Sequence, residues 1–240
     1  MAGAPRGAGT HGGIASPLKA PADAGAFVVS GTQPNGQVKA PLTAVVFDVG
    51  RVLVEWDMRC LFGKLIDDPD QLEWFVTHVV SEEWHFQHDA GRELAEMVAE
   101  RKLTFPDHAA LIDAYATRFI ETIPGPVAGS HELLERLAGR GMPLYAITNF
   151  ASPFWAEFAP TQPSFAHFRE VVVSGDEKIA KPDAGIFELA ARRFGHDPTA
   201  MLFIDDNAAN IAAACALGWQ VHHFTDALTL EADLTARGLL

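Results

Sequence analysis

The sequence predicts an α/β protein built on a doubly wound parallel sheet, with a small helical unit inserted early in the chain. Three observations carry this expectation. Five short apolar runs of strand length recur after residue 40. Helical segments separate the later runs, and about 90 residues without any strand-like alternation lie between the first run and the second.

In chain order, residues 1–40, beginning MAGAPRGAGTHGG, are rich in Gly, Ala and Pro and lack the compact apolar stretch of a secretory signal. They are expected to form a flexible tail, and Arg6 and Lys19 are too sparse for a mitochondrial leader. TAVVFD (43–48) is the first strand. Segments near 58–66, 70–80, 92–102 and 107–121 follow, and LEWFVTHVV and HAALIDAYATRFIETI place apolar residues at helical spacing. This insert, 58–123, is longer than an ordinary connection and is expected to sit over the strand ends. PLYAITN (143–149), EVVVS (170–174), AMLFIDD (200–206) and WQVHHF (219–224) complete the strands, with helices over 127–140, 182–194 and 207–217. Near-continuous apolar runs suit a parallel sheet covered on both faces. Gly141, Gly195 and Gly218 stand where the three helices end, and Pro182 stands where one begins. The α/β core thus comprises 41–57 and 124–240.

Composition narrows the function classes. The 240 residues are 48% hydrophobic and 20% charged, with a formal net charge of −13. No apolar run approaches the ~20 residues of a membrane-spanning helix, and the negative charge disfavours nucleic acid and anionic lipid as partners. A small anionic substrate therefore needs a local cation. Cys60 and Cys215 show no disulfide or zinc spacing, so a reducing cytoplasm is the expected location.

In a doubly wound sheet, functional groups gather at the carboxyl ends of strands, and three runs end in polar residues. Asp48 is either a turn-capping carboxylate or a desolvated nucleophile. Asp205 and Asp206 repel each other at the end of MLFI; a divalent cation such as Mg²⁺ relieves that cost, whereas capping of a helix at Asn207 explains only one acid. Lys181, before Pro182, is either a solvated lysine or the cation that screens a nucleophile and an arriving phosphoryl group. Thr148 and Asn149 are either turn residues or a hydroxyl and an amide for a phosphate oxygen. SEEWHFQHDAGRE brings Trp84, His85, His88, Asp89 and Arg92 into one segment, which either faces the site and selects substrates or is a solvated connection with Trp84 packed inward. His222 and His223 are expected at an edge, and Trp56 and Trp74 are assigned to packing.

FDVGRVLVEWD, AITN, KIAKPDAGIF and FIDDNAANIAAA occur in an order that resembles the haloacid dehalogenase superfamily of hydrolases, over residues 43–225. The resemblance implies a Rossmann-like core with a helical cap inserted after the first motif. It also implies Asp48 as nucleophile, Thr148 as a donor to phosphate oxygens and Lys181 as the cation orienting Asp48. Mg²⁺ would be held by Asp48, the Gly50 carbonyl, Asp205 and Asp206. The sequence departs from the family pattern at Gly50, where many phosphatases of the superfamily carry a second aspartate as general acid.

Two enzyme readings follow. One is a Mg²⁺-dependent phosphatase of small phosphorylated metabolites acting through an aspartyl-phosphate. The other is a 2-haloacid dehalogenase acting through an aspartyl ester, with Arg51 or Lys181 near the substrate carboxylate. Gly50 points to a leaving group that departs without a proton, whether halide or the leaving group of a glycosyl 1-phosphate or acyl phosphate. Dehalogenases of the superfamily usually carry an aromatic residue there, and the acid pair favours the first reading. A non-catalytic metabolite- or protein-binding member of the fold is a third reading, motivated by Gly50 alone.

Overall fold

The computed structural model describes residues 40–240. The expected tail therefore lies outside the described residues except for Ala40. Five parallel strands form one sheet in the order β3-β2-β1-β4-β5: β1 (Ala44–Phe47), β2 (Leu144–Thr148), β3 (Phe168–Val173), β4 (Met201–Asp205) and β5 (Gln220–His223). Each coincides with one of the five apolar runs. The three central strands are buried throughout, while β3 and β5 carry the half-exposed edges. His222 and His223 thus lie on an edge strand, as expected.

Side-chain alternation divides the sheet residues between two cores. Val45, Phe47, Leu144, Ala146, Leu202 and Ile204 belong to one cluster, while Ala44, Val46, Tyr145, Ile147, Met201 and Phe203 belong to the other. The second cluster packs on α9 (Ala184–Phe194), through Ile186, Phe187 and Ala190, and on α10 (Ala208–Ala216), through Ala214. The first packs on α6 (Ser130–Gly139), α7 (Ser152–Phe158) and α11 (Ala227–Ala236).

Between β1 and β2 the chain is helical: α1 (Arg59–Phe62), α2 (Pro69–His78), α3 (Glu82–Asp89), α4 (Leu94–Thr104) and α5 (Ala109–Arg118). Pro69 at the first position and the Asp68 side chain, which accepts from the backbone N–H groups of Asp70 and Gln71, start α2. Phe62, Phe75, Met97, Ile112 and Tyr115 of this insert belong to the same apolar cluster as one sheet face, so its inner surface is continuous with the core. The short helix α8 (Ser174–Glu177) follows β3.

Four helices went unread in the sequence: α3, α7, α11 and the four-residue α8. The stretch leading into α3 reads as a polar connection, yet Ser81 accepts from Trp84 N at 3.2 Å and caps a full helix. The helices α7 and α11 lie in segments whose Pro, Thr and Asp content reads as loop. Two helix starts also shift: Asp183, not Pro182, caps α9, and Asn207, not Asp206, caps α10. The expected stops hold, with Gly141, Gly195 and Gly218 all at positive φ, where glycine meets no Cβ penalty.

Candidate active site

The chain runs β1, β2, β3 outward and then returns to place β4 on the other side of β1. The switch point therefore falls between β1 and β4, where the carboxyl ends of the two strands open a crevice. Phe47 pairs with Ile204, and Asp48 N donates to the Ile204 carbonyl at 2.8 Å, so the next residue of each strand, Asp48 and Asp205, emerges at that crevice. Register alone thus brings together two acids more than 150 positions apart.

Lys181 joins them. Its Nζ lies 2.8 Å from Asp48 Oδ1 and 2.7 Å from Asp205 Oδ2, and it is 1% exposed. Asn149 fixes the lysine from the end of β2: its amide donates to the Lys181 carbonyl and accepts from the Lys181 backbone N–H, both at 2.9 Å. Here the structure departs from expectation, because the Asn149 amide serves the lysine backbone, not a substrate oxygen. A side-chain amide presents a donor and an acceptor side by side and so matches a backbone N–H and C=O reciprocally.

Asp205 is fully buried. Its Oδ1 accepts from Asn207 N at 2.7 Å and from the Asn210 amide at 3.1 Å, and its Oδ2 accepts from Lys181 and from Asn210 at 3.0 Å. All four acceptor positions are therefore filled. Asn210 escaped the sequence reading, although an amide in a helix otherwise composed of Ala, Ile and Cys was its signal. Asp206, by contrast, lines a cavity of about 170 Å³ together with Asp48, Gly50, Asn149 and Lys181. His223 Nε2 donates to the Asp206 carbonyl at 2.8 Å and holds that loop.

Oxygens of Asp48, Asp205 and Asp206 lie within 4.8 Å of one another, against the single charge of Lys181. Burial, with the Asp205 and Asp206 charges adding to it, pushes the Asp48 carboxyl up to about 8 despite the opposing pull of Lys181. Asp206 is raised by the same burial and by Asp205. On Lys181, burial acts downward, but Asp205 and Asp48 outweigh it and hold the ammonium above its ordinary value. A cluster with more negative charge than one lysine can balance, all of it hard oxygen, fits a divalent cation of the Mg²⁺ type.

Thr148 ends β2, is 1% exposed, and its hydroxyl has no hydrogen-bond partner among the described residues. A buried hydroxyl without a partner costs about 1–3 kcal/mol, a cost that a bound oxyanion would relieve. Gly50 is not required by packing: a Cβ there would meet nothing within 4 Å, and its φ is not left-handed. The left-handed residue of this turn is Arg51, at φ 58°.

Arg51 lines the cavity but is engaged by the insert. Its guanidinium pairs with Glu82 of α3, one contact being 3.3 Å, and lies 4.7 Å from the Trp56 ring centroid. Trp56, assigned to packing, does pack against the core and also lines the cavity. Trp74, also assigned to packing, is 43% exposed and stacks on His78. From α3, His85, Phe86 and Asp89 reach the same cavity, whereas Trp84 is buried against Tyr115.

A family model for haloacid dehalogenase-like hydrolases matches residues 42–218. The chain belongs to this family of hydrolases. A sesquiterpene phosphatase of Aspergillus oryzae is 25% identical over 202 residues, covering 80% of this chain and 94% of that protein. An (S)-2-haloacid dehalogenase of Pseudomonas putida is 27% identical over 114 residues, 48% of each chain. Among solved structures, a HAD family enzyme of Bacteroides thetaiotaomicron in complex with magnesium and inorganic phosphate superposes with a TM-score of 0.57 at 22% identity, covering 77% of this chain and 95% of that one. Its likeness confirms the fold. Among the described residues, no helix is long and apolar enough to cross a membrane.

Proposed function

We propose that this hydrolase is a Mg²⁺-dependent phosphatase of small phosphorylated metabolites, with Asp48 as its nucleophile. The observation that carries the reading is the buried Asp48–Lys181–Asp205 chain at the switch point, with Asp206 beside it and the partnerless Thr148 hydroxyl at the end of the adjacent strand β2. Asp48 Oδ1 accepts from Val49 N at 2.7 Å and from Lys181 at 2.8 Å, which pins the carboxylate and leaves Oδ2 to attack phosphorus. Lys181 screens the charge of both the carboxylate and the incoming phosphoryl oxygens. The Thr148 hydroxyl donates to one of those oxygens.

Asp48, Asp206 and the Gly50 carbonyl would hold the metal, with Asp205 closing the cluster from behind. Bound there, Mg²⁺ supplies positive charge for the phosphoryl oxygens and keeps Asp48 ionised at neutral pH. Asn149 is a positioning residue for Lys181 rather than a substrate ligand. A phosphatase relative that aligns along most of both chains, and a fold neighbour holding magnesium and phosphate, support the reading. Dehalogenation is the second reading, compatible with Gly50 and supported by the dehalogenase relative. The Arg51–Glu82 pair weakens it, because the arginine available for a substrate carboxylate is already neutralised.

The test is turnover of a phosphoester panel and of 2-chloropropionate by the wild type and Asp48→Asn, with and without EDTA. We expect phosphate release that EDTA abolishes and that Asp48→Asn lowers by at least about 10³-fold. Halide release that persists in EDTA, with no phosphate from any ester, would refute the phosphatase.

A further inference from the structure

The first turn of the site offers no proton donor at Gly50, yet a second carboxyl lines the same cavity from the insert. Asp89, the last residue of α3, is 5% exposed, and its Oδ1 has no hydrogen-bond partner among the described residues. Its Oδ2 lies 3.1 Å from His85 Nε2, one turn earlier on the same helix. His85 Nδ1 in turn lies 2.6 Å from the Tyr115 hydroxyl of α5. With Nε2–H donating to Asp89, Nδ1 is the acceptor and the phenol is the donor. Burial raises the phenol well above its ordinary range, so it keeps its proton. The chain Tyr115–His85–Asp89 orients one carboxylate oxygen and leaves the other free.

An ordinary structural acid would use both oxygens, and Asp89 uses one. His85 and Asp89 line the cavity with Asp48 and Gly50. Stacking of His85 on Phe119, and its contact with the Trp56 ring at 5.0 Å, fix the imidazole plane.

We propose that Asp89 is the general acid and base of this enzyme, with His85 and Tyr115 as its positioning residues. The inference rests on the phosphatase reading above. In the first step, Asp48 Oδ2 forms a bond to phosphorus as the ester P–O bond breaks; the electron pair goes to the leaving oxygen, which takes the proton from Asp89 Oδ1. The resulting carboxylate is held by His85 Nε2–H. In the second step, water attacks phosphorus and gives its proton to Asp89, while the P–O bond to Asp48 breaks with its pair returning to Asp48. Phosphate leaves, and both aspartates recover their starting states. The charged groups sharing this cavity are Arg51, Glu82, Lys181, Asp48 and Asp206.

The test is leaving-group dependence. Asp89→Asn keeps the side chain's shape and its contact with His85 but carries no proton to give. It is compared with the wild type on an alkyl phosphate, whose leaving oxygen needs a proton, and on p-nitrophenyl phosphate, whose leaving group does not. We expect kcat/KM, which reports the first phosphoryl transfer, to fall by about 10²-fold or more on the alkyl ester and by less than about threefold on the nitrophenyl ester, while kcat, which includes the hydrolysis step that Asp89 serves as base, falls on both. His85→Asn should show the same selectivity in weaker form. Equal losses of kcat/KM on both esters, or no loss on either, would overturn the assignment, and the retained nitrophenyl kcat/KM itself reports that the variant folds. If the wild type releases phosphate from neither ester, the phosphatase reading fails instead, and this inference with it.

Discussion

Lys181 is buried between Asp48 and Asp205, and its Nζ lies 5.5 Å from the centroid of the Phe203 ring. Removing one member of a buried ionic cluster leaves the others without compensation, typically at about 3–5 kcal/mol. Lys181→Met preserves the stem and deletes the charge, so we expect it to destabilise the metal-free protein by about 3 kcal/mol in urea denaturation. Part of that loss should return with Mg²⁺, which can neutralise the same carboxylates. An unchanged midpoint would show that the three groups are not energetically coupled. At this scale the sequence was informative wherever a residue was chemically out of place. An acid or a lysine beside an apolar run carries a desolvation cost that signals a reason for its presence. Asn149, Asn210 and Arg51 were harder to read: amides and arginines are ordinary in turns and helices, and only the fold shows that Asn149 holds the Lys181 backbone, that Asn210 holds Asp205, and that Arg51 meets Glu82.

Among the elements, the strands were legible because burial on both faces leaves a continuous apolar signature. The helix α3 was not. Its buried residues include His85, His88 and Asp89, so its inward face is polar and it lacks the apolar stripe that marks an amphipathic helix. The polar face reflects what the helix brings to the cavity, where it contributes Glu82, His85, Phe86 and Asp89. Local pattern fails here because polar groups that line the cavity share the buried face with Trp84. Phe86 is 41% exposed at the cavity wall. Phe86→Ala should therefore change stability by less than about 0.5 kcal/mol in thermal melts. It should raise KM for esters with apolar leaving groups while leaving acetyl phosphate turnover unchanged. A large loss of stability would instead make Phe86 a core residue of the insert.

Across the whole molecule, a net charge of −13 repels the anionic substrates that this site is proposed to take. The fold answers locally by burying a lysine beside an acid cluster suited to a divalent cation, at the one place where the sheet's strand order reverses. The four motifs are dispersed over more than 150 residues, and parallel register unites them, which explains why their order was readable but their contacts were not. The insert adds its own polar chain from another direction: His85 and Asp89 were grouped by the sequence, but spacing alone gave no sign that Tyr115 would join them. The central claim is that Asp48 carries the phosphoryl group between the two halves of the reaction. Acid quenching during turnover of acetyl phosphate with Mg²⁺, followed by peptide mass spectrometry, tests it most directly. The account predicts a phosphoryl group on the Asp48 peptide in the wild type and none in Asp48→Asn. Steady turnover with no modified Asp48 peptide, or an ester of Asp48 formed from 2-chloropropionate and no phosphoryl adduct, would contradict it.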